Sequence, residues 1–322
     1  MQQRSAHIPV LLHEVVTALA PRDGGLYVDG TFGRGGYSCA ILESGNTRVI
    51  GIDRDPDAIL ASQALIEKYA PRLQVKQGTF SAMKELLAED GVTQVDGVAL
   101  DIGVSSPQLD DAMRGFSFQE DGPLDMRMSK QGQSAADIVN SYKETELADI
   151  IYHYGEERYS RRVARAIVTA RTTAPFTRTT QLAELVRQNV PRSKDKIDPA
   201  TRTFQALRIA VNDELGELDR ALCAAEEILR PNGILAVVSF HSLEDRCVKR
   251  FLKARSGNAP RVSRHAPVES STQAASFVTQ TRKAIIPSED ESAQNPRARS
   301  ARLRVAQRTD APAMRIDKEA CS

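Results

Sequence analysis

The 322-residue sequence contains no tryptophan, and aromatic residues make up only 5% of it. Its four cysteines, Cys39, Cys223, Cys247 and Cys321, form no C-x-x-C pair and show no spacing typical of metal ligands. We therefore expect reduced thiols rather than a disulfide framework or a zinc site. No stretch approaches the ~18 consecutive apolar residues of a membrane helix, and the first residues lack a signal-peptide pattern. These absences predict a cytoplasmic protein without a membrane segment.

Neither sign of charge is in excess, because 43 Lys and Arg residues against 42 Asp and Glu residues give a net charge of +1. A surface that binds nucleic acid would therefore have to come from local clusters rather than from bulk charge. The hydrophobic and charged fractions, 41% and 26%, are ordinary for a globular protein. The length suits one large domain with a smaller one.

The most informative stretch is a short apolar strand that runs into a glycine-rich turn. Residues 26–29 read Leu-Tyr-Val-Asp, and the next seven residues contain four glycines. A second apolar run follows and ends on Asp53. In open α/β folds, glycine lets the backbone approach a ligand, the helix start offers N–H groups to an anion, and the acid takes ribose hydroxyls. The pattern predicts a site for a nucleoside-bearing cofactor; the alternative is a tight turn with a surface acid.

The turn is not the G-x-G-x-x-G fingerprint of dinucleotide-binding folds. Starting from Gly33, the position of the third glycine is occupied by Ser38. Residues 29–36 are closer to the first motif of S-adenosylmethionine-dependent methyltransferases, in which the helix start would hold the methionine carboxylate. The spacing therefore disfavours a nicotinamide-dependent dehydrogenase.

Predicted strands and helices alternate over the first hundred residues. Apolar runs lie at 26–29, 48–53, 73–77 and 95–101, and segments of helical character separate them. This spacing predicts a parallel sheet with helices on both faces. The next convincing strand, 233–239, lies far along the chain, whereas a βαβ unit takes about 30 residues. The residues between have helical periodicity.

We therefore predict an α/β fold: a class I, Rossmann-like methyltransferase sheet with an inserted small helical domain. Residues 1–107 and 203–322 would form the two parts of the methyltransferase domain. Residues 108–202 would form the insert, which we expect to recognise the substrate. Because the insert leaves the carboxyl end of a strand, we expect it to overhang the cofactor crevice.

The second part of the predicted sheet domain contains a long helix and two strands. An apolar stripe from Phe204 to Leu229 predicts one helix that returns the chain to the sheet, with Gly216 as a candidate break. Segments 277–286 and 300–307 predict two late strands. They would complete a seven-stranded sheet with one antiparallel strand, which suits a methyltransferase better than a dehydrogenase.

The loop after the fourth predicted strand carries the polar groups best placed for chemistry. It begins with Asp101 and continues through residues 105–107, Ser-Ser-Pro. The lone pair of a nucleobase amine is conjugated into the ring, so acceptors on its N–H bonds favour attack on a sulfonium methyl. The proton can leave afterwards, so no strong base is required. Asp101 is the candidate catalytic residue, although main-chain carbonyls would serve equally well and a turn cap is the structural alternative.

Long ordered blocks of this sequence resemble the bacterial RsmH (MraW) family, which methylates N4 of a cytosine in small-subunit ribosomal RNA. The similarity runs from residues 7–12 to 295–300. The blocks that carry it are residues 29–36, 53–56, 101–111, 114–118, 121–128, 154–158, 201–206 and 239–246. The resemblance implies 16S ribosomal RNA as the substrate, with cytosine 1402 of the decoding region as the target.

The resemblance also implies where S-adenosylmethionine binds. The matching positions are Gly35, Gly36, Tyr37, Asp53, Phe80, Asp101 and Gln108. The first three would line the methionine end, Asp53 would take the ribose, and Phe80 would lie against the adenine. Asp101 and Gln108 would complete the site near the reacting methyl group. Tyr37 stands where many members carry His, which leaves its own role in question, but we expect cofactor binding to survive this change.

Further candidates lie in the 239–246 block and in two arginine clusters. Ser242 and Asp245 form a helix-capping pattern, while His241 could be a cap or could contact the target base or a phosphate. The two clusters could contact RNA phosphates or be solvated faces. They consist of Arg158, Arg161, Arg162, Arg165 and Arg171 in the insert, and of Arg297, Arg299, Arg302, Arg304 and Arg308 near the C-terminus.

Two other functions remain open beside rRNA methylation. Methylation of DNA amino groups would use similar chemistry, but it would require a duplex-reading helix that the sequence does not contain. A ribosome-assembly factor that retains the cofactor fold and acts by binding RNA is the alternative outside enzymes. The expected partner is 16S rRNA or the small ribosomal subunit, without DNA, membrane or metal, and the chain would be a monomer or a homodimer.

Overall fold

The computed structural model describes residues 9–192, 197–257 and 274–314. Cys321 lies outside these residues. The chain divides into two compact units. We call residues 1–103 with 215–322 the sheet unit, and residues 104–214 the helical unit. None of the helices in the described residues is long and apolar enough to cross a membrane.

The strands of the described chain all belong to one sheet in the order β3-β2-β1-β4-β5-β7-β6. They are β1 (Leu26–Asp29), β2 (Arg48–Asp53), β3 (Leu73–Gln77), β4 (Val95–Asp101), β5 (Leu229–Ser239), β6 (Phe277–Thr279) and β7 (Arg302–Arg308). Strands β1 to β5 pair in parallel, and β7 is antiparallel to both β5 and β6. The predicted seven-stranded sheet with one antiparallel strand is confirmed.

The helices flank this sheet or build the helical unit. They are α1 (Leu12–Leu19), α2 (Gly36–Glu43), α3 (Pro56–Ala61), α4 (Gln63–Tyr69), α5 (Met83–Ala88), α6 (Ser106–Asp110), α7 (Ala135–Ser141), α8 (Glu144–Gly155), α9 (Ser160–Arg171), α10 (Thr179–Asn189), α11 (Ala200–Asn212), α12 (Glu214–Ile228), α13 (Ser242–Arg255) and α14 (Glu289–Gln294). Short 3₁₀ turns span Phe80–Ala82, Ala112–Arg114 and Pro296–Ser300.

The sheet is buried on both faces, as a parallel sheet must be. Six of the seven residues of β4 are buried, and Asp101 is the exception. One apolar cluster joins β4 to α12 and α13, with Leu100, Leu222 and Val248 among its members. A second cluster on α1 and α2 includes Val15 and Ile41. The carboxyl ends of β1, β2 and β4 therefore lie at one edge of a rigid layer.

The prediction of a strand over residues 277–286 is wrong in its length. The strand β6 ends at Thr279, and only Ile285 returns to β7, through an isolated bridge to Leu303. Phe277 is fully buried, whereas Val278 and Thr279 are exposed. The segment thus has one anchoring apolar residue rather than an alternating buried face.

The helical unit has its own apolar core. The core is formed by side chains of α7 to α11, among them Ile138, Ile151, Ile167 and Leu182. The buried side chain of Asn212 ties an irregular segment to this core: its Oδ1 accepts from the N–H of Met128 at 2.9 Å, and its Nδ2 donates to the Met126 carbonyl at 2.8 Å.

The prediction of one helix from Phe204 to Leu229 is also wrong. The helix α11 ends at Asn212, Asp213 adopts the left-handed conformation with φ 48°, and α12 begins at Glu214. Gly216 lies inside α12 and does not break it. The single apolar stripe therefore serves two cores, because Phe204 packs in the helical unit and residues from Leu218 onward pack in the sheet unit.

Candidate active site

The glycine-rich turn connects β1 to α2 at the edge where the parallel strands end. Gly33 and Gly35 have φ values of +52° and +73°, which L side chains rarely adopt. The N–H of Gly35 closes the turn by donating to the Phe32 carbonyl at 2.6 Å. Among the described residues, no side chain caps the first turn of α2, which begins at Gly36. The turn thus presents backbone N–H groups at a helix start, the arrangement that holds anions.

Two further glycines are required because a side chain would not fit there, and not because of their backbone conformation. A Cβ on Gly36 would collide with the ring of Pro9. A Cβ on Gly30 would collide with Leu100 and would approach the Cβ of Phe80 at 3.2 Å. Phe80, which opens a 3₁₀ turn after β3, therefore lies beside the start of the glycine-rich turn.

Asp53 ends β2 and contacts the turn directly. Its Oδ2 accepts a hydrogen bond from the N–H of Gly33 at 2.7 Å, and its Oδ1 accepts from the N–H of Asp55 at 2.8 Å. Burial raises the pKa of this carboxyl, and the two N–H donors oppose that rise. The predicted ribose-binding acid thus lies against the turn, with its orientation fixed by the backbone.

Asp101 ends β4 on the other side of β1. Its backbone N–H donates to the Oγ1 of Thr31 at 2.7 Å, which ties β4 to the turn. Its side-chain Oδ1 is buried and has no hydrogen-bond partner among the described residues. Burial, and then the nearby charges of Asp29 and Glu244, raise the pKa of Asp101 well above its usual value. A buried acceptor without a partner is costly, so it points to a ligand or substrate donor.

Asp29, at the end of β1, is a site-edge carboxyl that was not among the predicted site residues. Its Oδ2 accepts from the Ser38 hydroxyl at 2.7 Å, and its Oδ1 accepts from the N–H of Thr31 at 3.3 Å. Burial raises its pKa to about 6. Its position directly before the first glycine was the available signal, because a buried acid at a strand end is expensive unless it fixes neighbouring groups.

Tyr37 points into the sheet unit rather than into solvent. Its side chain is buried, and its hydroxyl donates to the Val10 carbonyl at 2.5 Å. Burial, followed by the charges of Asp101 and Asp29, raises the pKa of its phenol well above the usual value. The tyrosine hydroxyl thus anchors the N-terminal segment, and any contact with the cofactor would come from its backbone or ring.

Gln108 belongs to the helical unit. It is buried in α6, and its Oε1 accepts from the N–H of Ser105 at 3.0 Å in a capping box at the helix start. This contact gives the residue a structural role within its own unit. Its predicted role near the reacting methyl group stays a prediction. In the sheet unit, by contrast, Asp53, Phe80 and Asp101 are brought together around the glycine-rich turn.

The end of β5 carries the motif that includes His241. The cap predicted at Ser242 is wrong, and the alternative of a cap at His241 is confirmed. The N-cap of α13 is His241 rather than Ser242, and its Nδ1 accepts from the N–H of Glu244 at 3.4 Å. Glu244 is fully buried and returns the contact, because its Oε2 accepts from the N–H groups of Phe240 and His241. Glu244 Oε1 lies 2.9 Å from the Nε2 of His241. His241 is thus held as a cap beside the carboxyl edge of the sheet.

The C-terminal arginine cluster is largely engaged within the sheet unit. Arg304 forms a two-pronged contact with Asp245 at 2.7 and 3.1 Å, and Arg302 reaches the same carboxylate at 3.4 Å. Arg308 is buried and donates to the carbonyls of Glu226 and Ser276. Arg304 and Arg308 are therefore engaged inside the sheet unit. Arg302 is exposed, and RNA contact by it, Arg297 and Arg299 stays a prediction.

Comparison with known proteins identifies the family of this chain. Residues 4–309 match the sequence profile of the MraW methylase family. The chain belongs to the MraW methylase family. It is 65% identical to the ribosomal RNA small subunit methyltransferase H of Paramagnetospirillum magneticum over 95% of this chain and 97% of that protein. Proteins of the same name from Rhodospirillum centenum and Rhodospirillum rubrum are 62% and 56% identical and cover 97% and 98% of this chain, and 95% and 98% of their own.

The cofactor of this methylase is S-adenosylmethionine. The residues at the sheet edge fit it by their chemistry. The uncapped start of α2 suits a carboxylate, Asp53 suits a ribose diol, and Phe80 offers an aromatic ring. Asp29, Asp101 and Glu244 add carboxyls at the carboxyl ends of β1 and β4 and just beyond β5, where a cationic sulfonium would be stabilised.

Proposed function

We propose that this methylase transfers the methyl group of S-adenosylmethionine to the N4 amine of cytosine 1402 in 16S ribosomal RNA. The names of its relatives support a small-subunit rRNA substrate, and the similarity extends over nearly the whole chain. The observation that carries the proposal is the buried Oδ1 of Asp101, which has no partner in the described residues and lies beside the glycine-rich turn.

The chemistry follows from what an exocyclic amine needs. When bound, S-adenosylmethionine supplies an electrophilic methyl group on a sulfonium. Asp101 Oδ1 would accept a hydrogen bond from the amine N–H, which would increase electron density on the nitrogen that takes the methyl group from the sulfonium. The nitrogen then loses a proton. Because burial raises the pKa of Asp101, its carboxylate is basic enough to take that proton.

The target cytosine must leave its stack to reach a carboxyl group at a sheet edge. We assign recognition of the RNA around that base to the helical unit. Its chain position supports this assignment, because the unit begins at Val104, three residues after Asp101, and ends before α12 leads into β5. We place the activity in the cytoplasm, where ribosomal subunits are made.

The test uses radiolabelled S-adenosylmethionine with three purified acceptors: small ribosomal subunits, naked 16S rRNA and duplex DNA. The subunits and the rRNA are taken from cells that lack this modification. Nuclease digestion and mass spectrometry of the nucleosides then identify the methylated atom. We expect N4-methylcytidine at position 1402 in at least one rRNA acceptor and no product in DNA. Methylation of a different base or atom would overturn the proposed target.

The variants D101A and D101N separate catalysis from binding. Removing a group that holds the amine and takes its proton should lower kcat by about 100-fold or more. The control D110A removes an exposed carboxylate from α6 and should leave kcat unchanged. A protein that acts only by binding RNA during ribosome assembly would instead keep its cellular phenotype in D101A, so wild-type growth and subunit profiles in that variant would favour the binding factor.

A further inference from the structure

One face of α9 carries a regular row of exposed arginines. Arg158, just before the helix, is followed by Arg161, Arg162 and Arg165 at the i, i+3, i+4, i+7 spacing of a single helix face. We call these four residues the α9 arginine row. All four are exposed, while Val163, Ala164 and Ile167 on the opposite face are buried in the core of the helical unit.

The four arginines of the row make few contacts with other side chains of the protein. No ion pair of Arg158, Arg161 or Arg162 is present in the described part of the chain, and Arg158 lies over the ring of Tyr159 at 5.0 Å. Arg165 lies 3.4 Å from Glu144, but its side chain is 76% exposed, and such a surface pair is worth at most about 1 kcal/mol. The row therefore does little to stabilise the unit that carries it.

Other arginines of the helical unit do bind groups within that unit. Arg171 donates to the Val139 carbonyl at 2.7 Å, and Arg178 pairs with Asp121 at 2.7 Å. The chain from Arg158 to Ala183 contains six arginines and no Asp or Glu. Two acids precede the row directly, Glu156 and Glu157, and Glu157 is buried and accepts from the N–H of Tyr159 at 2.8 Å. Since net charge is only +1, this concentration of one sign is local.

The two predicted arginine clusters thus divide. In the C-terminal cluster, Arg304 and Arg308 are engaged inside the sheet unit, and the exposed Arg302 lies 3.4 Å from Asp245. In the insert, the four arginines of the row are exposed, and Arg161 to Arg165 span about 6 Å of the α9 axis at about 1.5 Å per residue. Guanidinium groups are well suited to phosphate oxygens, and this length matches consecutive phosphates of one RNA strand.

We propose that the α9 arginine row is a phosphate-binding surface for the ribosomal RNA substrate. The proposal rests on the proposed function, since it takes RNA to be the partner, and it names the surface of the helical unit that holds it. The contacts position the strand without reading its sequence, because phosphates carry no base information.

The test measures binding of an unmodified 16S rRNA transcript over a range of salt concentrations. Each arginine–phosphate contact to single-stranded RNA contributes about 0.7 to the slope of log Kobs against log salt. The variant R161Q/R162Q should therefore reduce the magnitude of the slope by about 1.4 and raise the KM for rRNA. Its kcat at saturating rRNA, its affinity for S-adenosylmethionine and its Tm should not change. R158Q/R165Q should give the same shift and carries the test if R161Q/R162Q fails to fold.

The matched control is R282Q/K283Q, which removes two exposed positive charges from the loop after β6. It should leave the slope unchanged. Equal slopes in wild type and R161Q/R162Q would overturn the inference, and so would an equal reduction in the control, because bulk charge would then explain the effect. If the wild-type protein binds the transcript but methylates no rRNA acceptor, the proposed function is overturned. The salt slopes of the variants would still test whether the α9 arginine row binds RNA phosphates.

Discussion

The backbone N–H of Gly33 donates to the Oδ2 of Asp53 across 2.7 Å, so the acid that ends β2 holds the turn that follows β1. The other oxygen of the same carboxylate accepts from the N–H of Asp55 at 2.8 Å. A single side chain thus shapes the turn and, in the proposed site, receives the ribose. Variants of Asp53 should therefore affect stability and cofactor affinity together.

Replacing Asp53 with Ala should weaken S-adenosylmethionine binding by about 10- to 100-fold, because a charged hydrogen-bond acceptor is lost. The free energy of unfolding should fall by about 2 kcal/mol or more, since two N–H groups lose their acceptor. Calorimetry and urea unfolding measure the two effects. D55A is the control: it removes the N-cap of α3, which costs about 1 kcal/mol, and should leave the cofactor Kd unchanged. An equal loss of affinity in D55A would contradict a direct role for Asp53.

The charge state of Asp101 should make cofactor binding depend on pH. Its pKa is raised by burial and by Asp29 and Glu244, and a bound sulfonium would lower it. Binding of S-adenosylmethionine should therefore release a proton and become tighter as pH rises, whereas the neutral product S-adenosylhomocysteine should show a weaker dependence. Calorimetry in buffers of different ionisation enthalpy measures the proton release. In D101N the difference between the two ligands should become smaller, and an undiminished difference would exclude Asp101 as its source.

Asp29 should contribute a pH dependence to stability. Its pKa is about 6 in the folded protein and 3.8 in the reference state, so the folded state binds the proton more tightly. The resulting stabilisation is complete below pH 3.8 and is lost as pH rises to about 6, by about 3 kcal/mol at most. Urea unfolding from pH 4 to 6.5 should show a shallower decline in D29N than in wild type. Parallel profiles would show that Asp29 titrates normally.

Two glycines of the helical unit offer a matched pair. Gly115 and Gly132 have φ values of +71° and +78°, so alanine at either position meets backbone strain of about 1–2 kcal/mol. At Gly115 the new Cβ would also collide with the backbone around Pro123, whereas at Gly132 nothing lies within 4 Å. The free energy of unfolding of G115A, measured with guanidinium, should therefore lie about 3 kcal/mol or more below that of the wild type. The free energy of unfolding of G132A should fall only by the backbone strain. Similar losses would mean that the loop at Gly115 adjusts freely.

The first four strands were predictable because their apolar runs are continuous and end at turn residues. Both β2 and β4 end on an acid, and Asp53 and Asp101 lie where that pattern places them. The sequence left His241 open between a cap and a base contact, and it favoured Ser242 as the cap of α13, because histidine is not among the usual capping residues. The position of Asp29 before the first glycine indicated an acid at the site edge, but its contact with Ser38 could not be predicted from its sequence neighbours.

The remaining errors concern long-range packing. The apolar stripe from Phe204 to Leu229 is periodic throughout. The helix is interrupted at Asp213 because the residues before and after it pack in two different cores. Likewise, Arg304 resembles Arg161 in sequence context, but its partner Asp245 is 59 residues away along the chain. Local patterns describe a residue's own helix or strand, and they do not reveal an ion pair formed by folding.

Strands β4 and β5 pair side by side, with Asp101 opposite Val238, although the whole helical unit separates them along the chain. During translation, four strands leave the ribosome before β5 exists, and β4 then lacks its neighbour on one side. An unpaired strand edge can template pairing with another chain, so nascent molecules should be most prone to aggregation in this interval. The sheet, and with it the surroundings of Asp101, becomes complete only late in synthesis.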